Sequence, residues 1–168
     1  MRILGIDPGY GITGFGLIEA QRGTSQLLRC GAITTPAGAD FSYRLEMIYE
    51  DMRQLLDAAK PEAVAIEELF FGHNVTTAIG VAQSRGVILL AIRQAGLPVW
   101  QYTPMQVKQA VVGYGSATKH QVQDMTKRLL RLSAMPKPDD AADAIAIALC
   151  HGRSSTSLLS QIQSQQKL

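Results

Sequence analysis

Residues 2–11 have the sequence RILGIDPGYG, a short apolar run that ends at Asp7 and is followed by a proline and two glycines. Branched apolar residues closed by Pro and Gly are typical of a buried strand. An Asp at the end of such a strand lies at the rim of the sheet, where its carboxylate can meet solvent, a metal ion or a phosphate. The same Asp can instead cap the Pro-Gly turn without any further role, so this stretch alone leaves both interpretations open.

The charge of the chain is unevenly distributed along its 168 residues. The net charge is only +2, but residues 104–138 carry six basic residues against one acidic residue, Asp124. A basic region of this kind attracts the phosphate backbone of nucleic acids. A solvated helix face gives the same pattern without any partner, so charge alone does not decide the function.

The two cysteines, Cys30 and Cys150, lie far apart in the sequence and lack the spacing of metal ligands. They are therefore interpreted as free thiols in a reducing compartment. The sequence also shows no secretory leader and no long uninterrupted apolar segment. Together these features predict a cytoplasmic protein.

The hydrophobic pattern predicts one α/β domain over residues 1–151, followed by a disordered Ser/Gln-rich tail at residues 152–168. Three strands joined by short turns form an antiparallel meander, and two further strands follow crossover helices, which favours parallel pairing. The expected fold is thus a five-stranded mixed sheet flanked by helices. The predicted strands span residues 2–7, 12–20, 26–34, 63–66 and 99–103, and the predicted helices span residues 41–60, 76–95, 105–112, 119–132 and 139–150.

Carboxylates stand at two further places in this pattern. The fourth predicted strand ends, like the first, at acids, here Glu67 and Glu68. If the fourth strand lies parallel to the first, Asp7 and Glu67 emerge at the same edge of the sheet. The last predicted helix begins with Asp139, Asp140 and Asp143, of which the third shares a face with both others. Acids in a first turn can simply cap free N–H groups and suit the helix dipole.

Convergence of these acids at one sheet edge would be unfavourable unless something neutralised them, because unpaired carboxylates repel one another. Divalent cations remove that repulsion, and a ligand set that is all oxygen favours Mg²⁺ or Mn²⁺ over zinc. Two such ions about 3.5 to 4 Å apart can activate water and stabilise the leaving oxygen in phosphodiester hydrolysis. No Ser-His-Asp or Cys-His pairing competes, since the three histidines lie in a loop, a polar helix and the end of the last helix.

Five motifs in this order of elements carry a family resemblance. They are GIDPG at residues 5–9, AIEE at 65–68, QVKQ at 106–109, GYGSATK at 113–119 and DAADAIAIA at 140–148. With them the chain resembles, over residues 1–151, the RuvC family of bacterial Holliday-junction resolvases within the RNase H-like superfamily. The resemblance implies an RNase H-like fold and an endodeoxyribonuclease that resolves Holliday junctions in homologous recombination and repair.

The resemblance also implies the site residues. Four acids would bind two Mg²⁺ ions, for which Mn²⁺ can substitute: Asp7, Glu67, Asp140 and Asp143. Asp139 and Glu68 adjoin two of these acids, and spacing alone does not choose between neighbours. Lys108 and Lys119 match basic positions that hold DNA near the scissile phosphate. Phe70 matches an aromatic residue that stacks on an unpaired base, although a core role for this ring is also open.

The resemblance further implies a homodimer, because a four-way junction is cut symmetrically in two strands and a two-fold dimer presents two matching active sites. The apolar helix predicted at residues 76–95 is the candidate interface. Complete burial of this helix within one subunit would explain its composition equally well. Four-way DNA and the branch-migration proteins RuvA and RuvB are the other implied partners.

Three other functions remain open. The first is a nuclease of the same superfamily that acts on structured RNA, as YqgF-like relatives do. The second is an actin-like sugar kinase, which also places a glycine turn after a strand Asp but needs two such domains, whereas this chain has room for one. The third is a module that binds junctions without cutting them.

Overall fold

The computed structural model describes residues 1–69 and 75–155, in which all ten predicted elements are present. In these residues no helix is both long and apolar enough to cross a membrane. The strands are β1 (Arg2–Asp7), β2 (Ile12–Gln21), β3 (Thr24–Thr34), β4 (Ala63–Glu67) and β5 (Val99–Tyr102), and the helices are α1 (Phe41–Ala59), α2 (Val75–Gln94), α3 (Pro104–Val112), α4 (Lys119–Leu129) and α5 (Asp139–Ser155).

Two helix ends differ from the sequence prediction by more than one residue. Helix α4 ends at Leu129 rather than at residue 132, because Arg131 adopts a left-handed backbone conformation with φ of 54°. Helix α5 continues beyond the predicted end at Cys150 to Ser155, so residues 152–155 of the predicted tail are helical. The rest of that tail, residues 156–168, lies outside the described residues.

The five strands form one mixed sheet in the order β3-β2-β1-β4-β5. β1 and β3 each pair antiparallel with β2, whereas β4 pairs parallel with both β1 and β5. This confirms the predicted meander with two parallel additions. Ile6 pairs with Ile66 in the parallel register, so the two strands end together and Asp7 and Glu67 follow at one edge.

The sheet separates two apolar layers. Helices α1 and α2 cover one face, where Leu4, Ile6, Val64 and Ile66 are buried among residues such as Ile48 and Ile92. Helices α3, α4 and α5 cover the other face. Almost every residue of α5 from 141 to 152 is buried, which makes this helix the central element of its layer.

Three glycines of the sheet allow α5 to lie directly on it. A Cβ atom on Gly5 would lie 2.0 Å from the carbonyl oxygen of Ala144, and one on Gly14 would lie 2.0 Å from the carbonyl oxygen of Asp140. A Cβ atom on Gly16 would lie 2.5 Å from a side-chain carbon of Ile145. We call Gly5, Gly14 and Gly16 the glycine seam, because at these positions the sheet and the helix touch main chain to main chain or nearly so.

Candidate active site

Three elements bring the predicted acids to one edge of the sheet. Asp7 ends β1, Glu67 ends β4, and Asp140 and Asp143 lie in the first turns of α5. Asp7 is paired in register with Gly14 on β2, and Gly14 lies against the main chain of Asp140. The glycine seam therefore sets how closely the acids of α5 approach the acid of β1.

The electrostatics of Asp7 show that the other three acids lie close enough to act on it; we call Asp7, Glu67, Asp140 and Asp143 the acid cluster. Burial first, and then the carboxylates of Glu67, Asp143 and Asp140, raise the pKa of Asp7 to about 8, while Lys119 lowers it. Burial and the carboxylate of Asp143 likewise raise the pKa of Glu67. Asp7 is thus the acid at which the repulsion within the cluster is concentrated.

The ammonium group of Lys119 pairs with acids of this site. Its Nζ atom donates a hydrogen bond of 2.8 Å to Asp143 and lies 3.8 Å from Asp139. The hydrogen bond to Asp143 is the main cause that raises the pKa of Lys119. Lys119 begins α4, whose start is fixed by the capping box of Thr118 and Gln121. The local sequence therefore places this ammonium group beside the acids.

Lys108 lies in the same cleft. This cleft has a volume of about 190 Å³ and is lined by Glu67, Lys108, Lys119 and Asp143 together with apolar residues of α3, α4 and α5. Helix α3, which carries Lys108, begins with a second capping box, formed by Thr103 and Gln106. Both predicted DNA-binding lysines thus open onto the space beside the predicted acids.

The acids fit a hard divalent cation by their chemistry. They supply only oxygen ligands, and their burial and mutual repulsion would be relieved by positive charge. Within residues 1–69 and 75–155, however, no three acid, histidine or cysteine side chains are arranged as ligands of a single ion. Asp143 is instead turned to Lys119, with which it pairs.

The structure distinguishes each predicted acid from its neighbour in the chain. Asp140 contributes to the raised pKa of Asp7, whereas the side chain of Asp139 does not; it is 60% exposed and lies 3.8 Å from Nζ of Lys119. Glu67 is half-buried in the cleft, whereas Glu68 is exposed and acts on Arg85. This arrangement supports the choice of Asp140 and Glu67, which stays a prediction.

Phe70 and Gly14 are two residues at which the predicted site and the described part of the structure do not correspond. Phe70, the predicted base-stacking residue, lies outside the described residues. Gly14 was not among the predicted site residues, although it lets the main chain of Asp140 approach β2 closely beside Asp7, with which Gly14 is paired. A signal for it exists in the sequence, because Gly14 and Gly16 alternate along β2 and so lie on one face of the strand.

We expect metal-free stability to fall as pH rises from about 4 to about 8. The folded protein holds the proton of Asp7 up to about pH 8, whereas the unfolded chain releases it near about pH 4. The folded state therefore binds more protons in this window, and stability declines through it. Asp7→Asn removes the effect, so in EDTA at pH 8 we expect the variant to be more stable than the wild type by about 1–3 kcal/mol.

Thermal unfolding in EDTA at several pH values measures this difference. The gain from Asp7→Asn should shrink as the pH falls towards about 4 and vanish below that, where the wild-type carboxyl is protonated in both states. Asp51→Asn on α1 is the matched control, because Asp51 is exposed and α1 lies on the opposite face of the sheet from α5. A gain that is the same at every pH would contradict the expected burial of a protonated Asp7.

The comparisons with known proteins agree on one family. The family model described as crossover junction endodeoxyribonuclease RuvC matches residues 3–151. The crossover junction endodeoxyribonuclease RuvC of Brevibacillus brevis is 54% identical over 153 residues, which cover 91% of this chain and 92% of that protein. These matches span the whole of the described site.

Solved structures match as well. The RuvC structure of Thermus thermophilus superposes with a TM-score of 0.86 at 37% identity, covering 92% of this chain and 95% of that one. The T. thermophilus RuvC in complex with Holliday junction substrate gives a TM-score of 0.85 at 35% identity, with the same coverage of 92% and 95%. The RNase H-like fold expected from the sequence is thereby confirmed.

Proposed function

The chain belongs to the RuvC family of crossover junction endodeoxyribonucleases, and we propose that it resolves Holliday junctions in recombination and repair by paired, metal-dependent incisions. The observation that carries this proposal is the meeting of four acids and one lysine at the edge of the sheet, in a chain that matches the family over residues 3–151. The T. thermophilus relative bound to a Holliday junction supports the choice of substrate.

We assign the metal ligands to the four acids of the cluster. Asp7, Glu67, Asp140 and Asp143 would hold two Mg²⁺ ions, and Mn²⁺ can substitute because it accepts the same oxygen ligands. When bound, two such ions activate water and stabilise the leaving oxygen of a phosphodiester. Asp7 is the ligand best placed to be shared, since it is the acid on which all three others act.

The lysines and the aromatic residue would hold the DNA. The side chain of Lys119 is 54% exposed, so its ammonium group can pair with a phosphate when Asp143 turns to a cation. Lys108 lines the same cleft and would offset charge on the neighbouring phosphate. Phe70 follows closely after Glu67 in the chain and keeps its proposed role of stacking on an unpaired base.

A homodimer through α2 would provide the second active site that a symmetric cut needs. Ile79 and Leu90 of α2 are 53% and 51% exposed, whereas Ile88, Ala91 and Ile92 face the core. The helix is thus neither wholly buried nor wholly exposed, and its outer side carries large apolar residues. Exposed positions 79, 83, 86 and 90 follow steps of four and three, the spacing at which two helices pack along their length.

Two further proposals concern the protein partners and the location in the cell. We propose the branch-migration proteins RuvA and RuvB as partners, because they would supply the junction that this nuclease cuts. We place the protein in the cytoplasm, in agreement with its two free cysteines, Cys30 and Cys150.

Cleavage of a synthetic four-way junction tests the function. We expect paired incisions with Mg²⁺, none with EDTA, and little cutting of linear duplex or structured RNA of the same sequence. Preferred cutting of structured RNA would favour the YqgF-like alternative. Tight junction binding without cleavage at any Mg²⁺ or Mn²⁺ concentration would favour a binding module and overturn the nuclease assignment.

The dimer makes a separate prediction. We expect Leu90→Glu to convert the protein from dimer to monomer, because a carboxylate would be buried in the apolar interface. Sedimentation velocity at micromolar concentration measures this, and junction cleavage by the variant should lose the pairing of its two incisions. Tyr43→Glu is the matched control, since Tyr43 on α1 is 54% exposed and is expected to face solvent in the dimer. A dimeric Leu90→Glu protein would exclude this interface.

A further inference from the structure

Two adjacent residues of α2 donate hydrogen bonds to the main chain on both sides of the acid cluster. The hydroxyl of Ser84 donates to the carbonyl oxygen of Gly9 over 3.0 Å, and Nε of Arg85 donates to the carbonyl oxygen of Glu67 over 3.0 Å. Gly9 follows Asp7 by two residues in the turn after β1. One turn of α2 thus contacts both segments that present acids from the sheet.

The bond from Ser84 ends on a tightly built turn. Ser84 is completely buried. The same Gly9 carbonyl also accepts a hydrogen bond of 2.6 Å from the hydroxyl of Thr13, a residue that is likewise completely buried. A Cβ atom on Gly9 would lie 2.2 Å from the carbonyl oxygen of Ile12, so the turn folds closely on itself. Ser84 therefore fixes the position of a turn whose shape is already set by its own contacts.

Gly80, one turn before Ser84, brings the helix against the same loop. A Cβ atom on Gly80 would lie 2.8 Å from the ring of Tyr10. Arg44 of α1 also holds that residue, because it donates a hydrogen bond of 3.1 Å to the Tyr10 carbonyl and lies over the Tyr10 ring. The loop after Asp7 thus contacts both α1 and α2, and the hydrogen bond from Ser84 is a buried polar contact between this loop and α2.

Arg85 links the end of β4 to its neighbours. Besides its bond to the Glu67 carbonyl, its guanidinium donates to the side chain of Gln101 on β5. Burial lowers the pKa of this guanidinium, and the negative charge of Glu68 partly offsets that effect. Arg85 therefore fixes the last residue of β4 through the main chain and leaves the carboxylate of Glu67 free to face the cleft.

We propose that Ser84 and Arg85 are positioning residues that set the spacing between Asp7 and Glu67 and so determine the affinity of the site for divalent cations. Neither side chain is among the proposed ligands, and both act through main-chain carbonyls. The inference rests on the proposed function, because it takes Asp7 and Glu67 as metal ligands. Residues that orient ligands in this indirect way change metal affinity by about 10- to 100-fold when they are replaced.

The test uses Ser84→Ala and Arg85→Lys in the full chain. Lysine keeps the positive charge but cannot form the forked contacts of the guanidinium. Binding of Mn²⁺ to the protein without DNA is measured by electron paramagnetic resonance, and the Mg²⁺ dependence of junction cleavage is measured separately. We expect each variant to bind Mn²⁺ about tenfold more weakly and to need correspondingly more Mg²⁺ for half-maximal cleavage. Junction affinity in EDTA should stay within about twofold of the wild type.

Thr126→Val is the matched control for Ser84→Ala. Thr126 lies on α4, is completely buried, and its hydroxyl has no hydrogen-bond partner within the described part of the chain. Loss of this hydroxyl should leave Mn²⁺ affinity unchanged. If Ser84→Ala does not fold, Arg85→Lys decides the question, since Arg85 is only half-buried.

The outcomes separate this inference from the function on which it rests. Wild-type affinity for Mn²⁺ in Arg85→Lys and in a folded Ser84→Ala variant would overturn the positioning role while leaving the nuclease intact. The proposed function would instead be overturned if the wild type did not cut junctions. It would also be overturned if Asp7→Asn bound Mn²⁺ as tightly as the wild type, or if the wild type bound no Mn²⁺. A tenfold loss in Thr126→Val as well would show that any buried hydroxyl has this effect and would also overturn the inference.

Discussion

Asp7→Asn is expected to lower the rate of junction cleavage by more than about a thousandfold and to leave junction binding intact. The amide keeps the size of the side chain but cannot ionise to the carboxylate that a divalent cation would bind beside the other three acids. The lysines that would hold DNA are unchanged, so affinity should persist. Single-turnover cleavage of a synthetic junction with Mg²⁺ and a gel-shift titration in EDTA measure the two properties separately.

The neighbouring acids supply matched controls for Asp7→Asn. Asp139→Asn and Glu68→Gln each remove one carboxylate from an exposed position beside a proposed ligand. We expect both variants to cleave within about tenfold of the wild type, since neither acid contributes to the raised pKa of Asp7. Efficient Mg²⁺-dependent nicking by Asp7→Asn would refute the ligand assignment. A thousandfold loss in Asp139→Asn would instead move one ligand to its neighbour.

Gly14→Ala is expected to disable the site without touching any acid. The new Cβ atom would lie 2.0 Å from the carbonyl oxygen of Asp140 and 2.3 Å from its carbonyl carbon, so the main chain of α5 must move away from β2. Asp140 and Asp143 move with it, and a displacement of about 1 Å can lower a rate by about 100-fold. Overpacking of this kind should also lower the free energy of unfolding by about 1–3 kcal/mol.

Cleavage rate and thermal unfolding measure the two effects of Gly14→Ala. Gly38→Ala is the control, because a Cβ atom on Gly38 would meet nothing within 4 Å and the residue lies in an exposed turn. We expect that variant to behave as the wild type does in both measurements. Wild-type cleavage by Gly14→Ala would mean that α5 does not depend on the seam for its position.

The sheet was predictable because its strands follow two general rules. Short turns after β1 and β2 required antiparallel neighbours, and crossover helices required β4 and β5 to be parallel to β1. The end of α5 was not predictable from local composition, since the serines at 154 and 155 are typical of a tail. Gly152 packs closely on the core, where a Cβ atom would lie 3.2 Å from Ala20, and this tertiary contact continues the helix.

Some features of the candidate site could also be predicted from the sequence, and others could not. The acids could be predicted because they stand at strand ends and in a first helical turn, where a carboxylate is conspicuous in the pattern. The contributions of Ser84 and Arg85 could not, because they act on main-chain carbonyls that any residue would supply. Lys119 was assigned from a motif, and the structure adds its partner, Asp143, which no spacing rule indicates.

The glycine seam makes the positions of the acids on α5 depend little on which apolar side chains fill the core around them. Main-chain contacts have no rotamers, so the distance from β2 to α5 at Gly14 does not depend on which apolar side chains fill the rest of the layer. Isoleucine, leucine and valine can replace one another elsewhere in that core at modest cost, while the acids keep their places. Core substitutions elsewhere in the layer should therefore leave the close approach of α5 to Gly14, and with it the place of Asp140 beside Asp7, largely as it is.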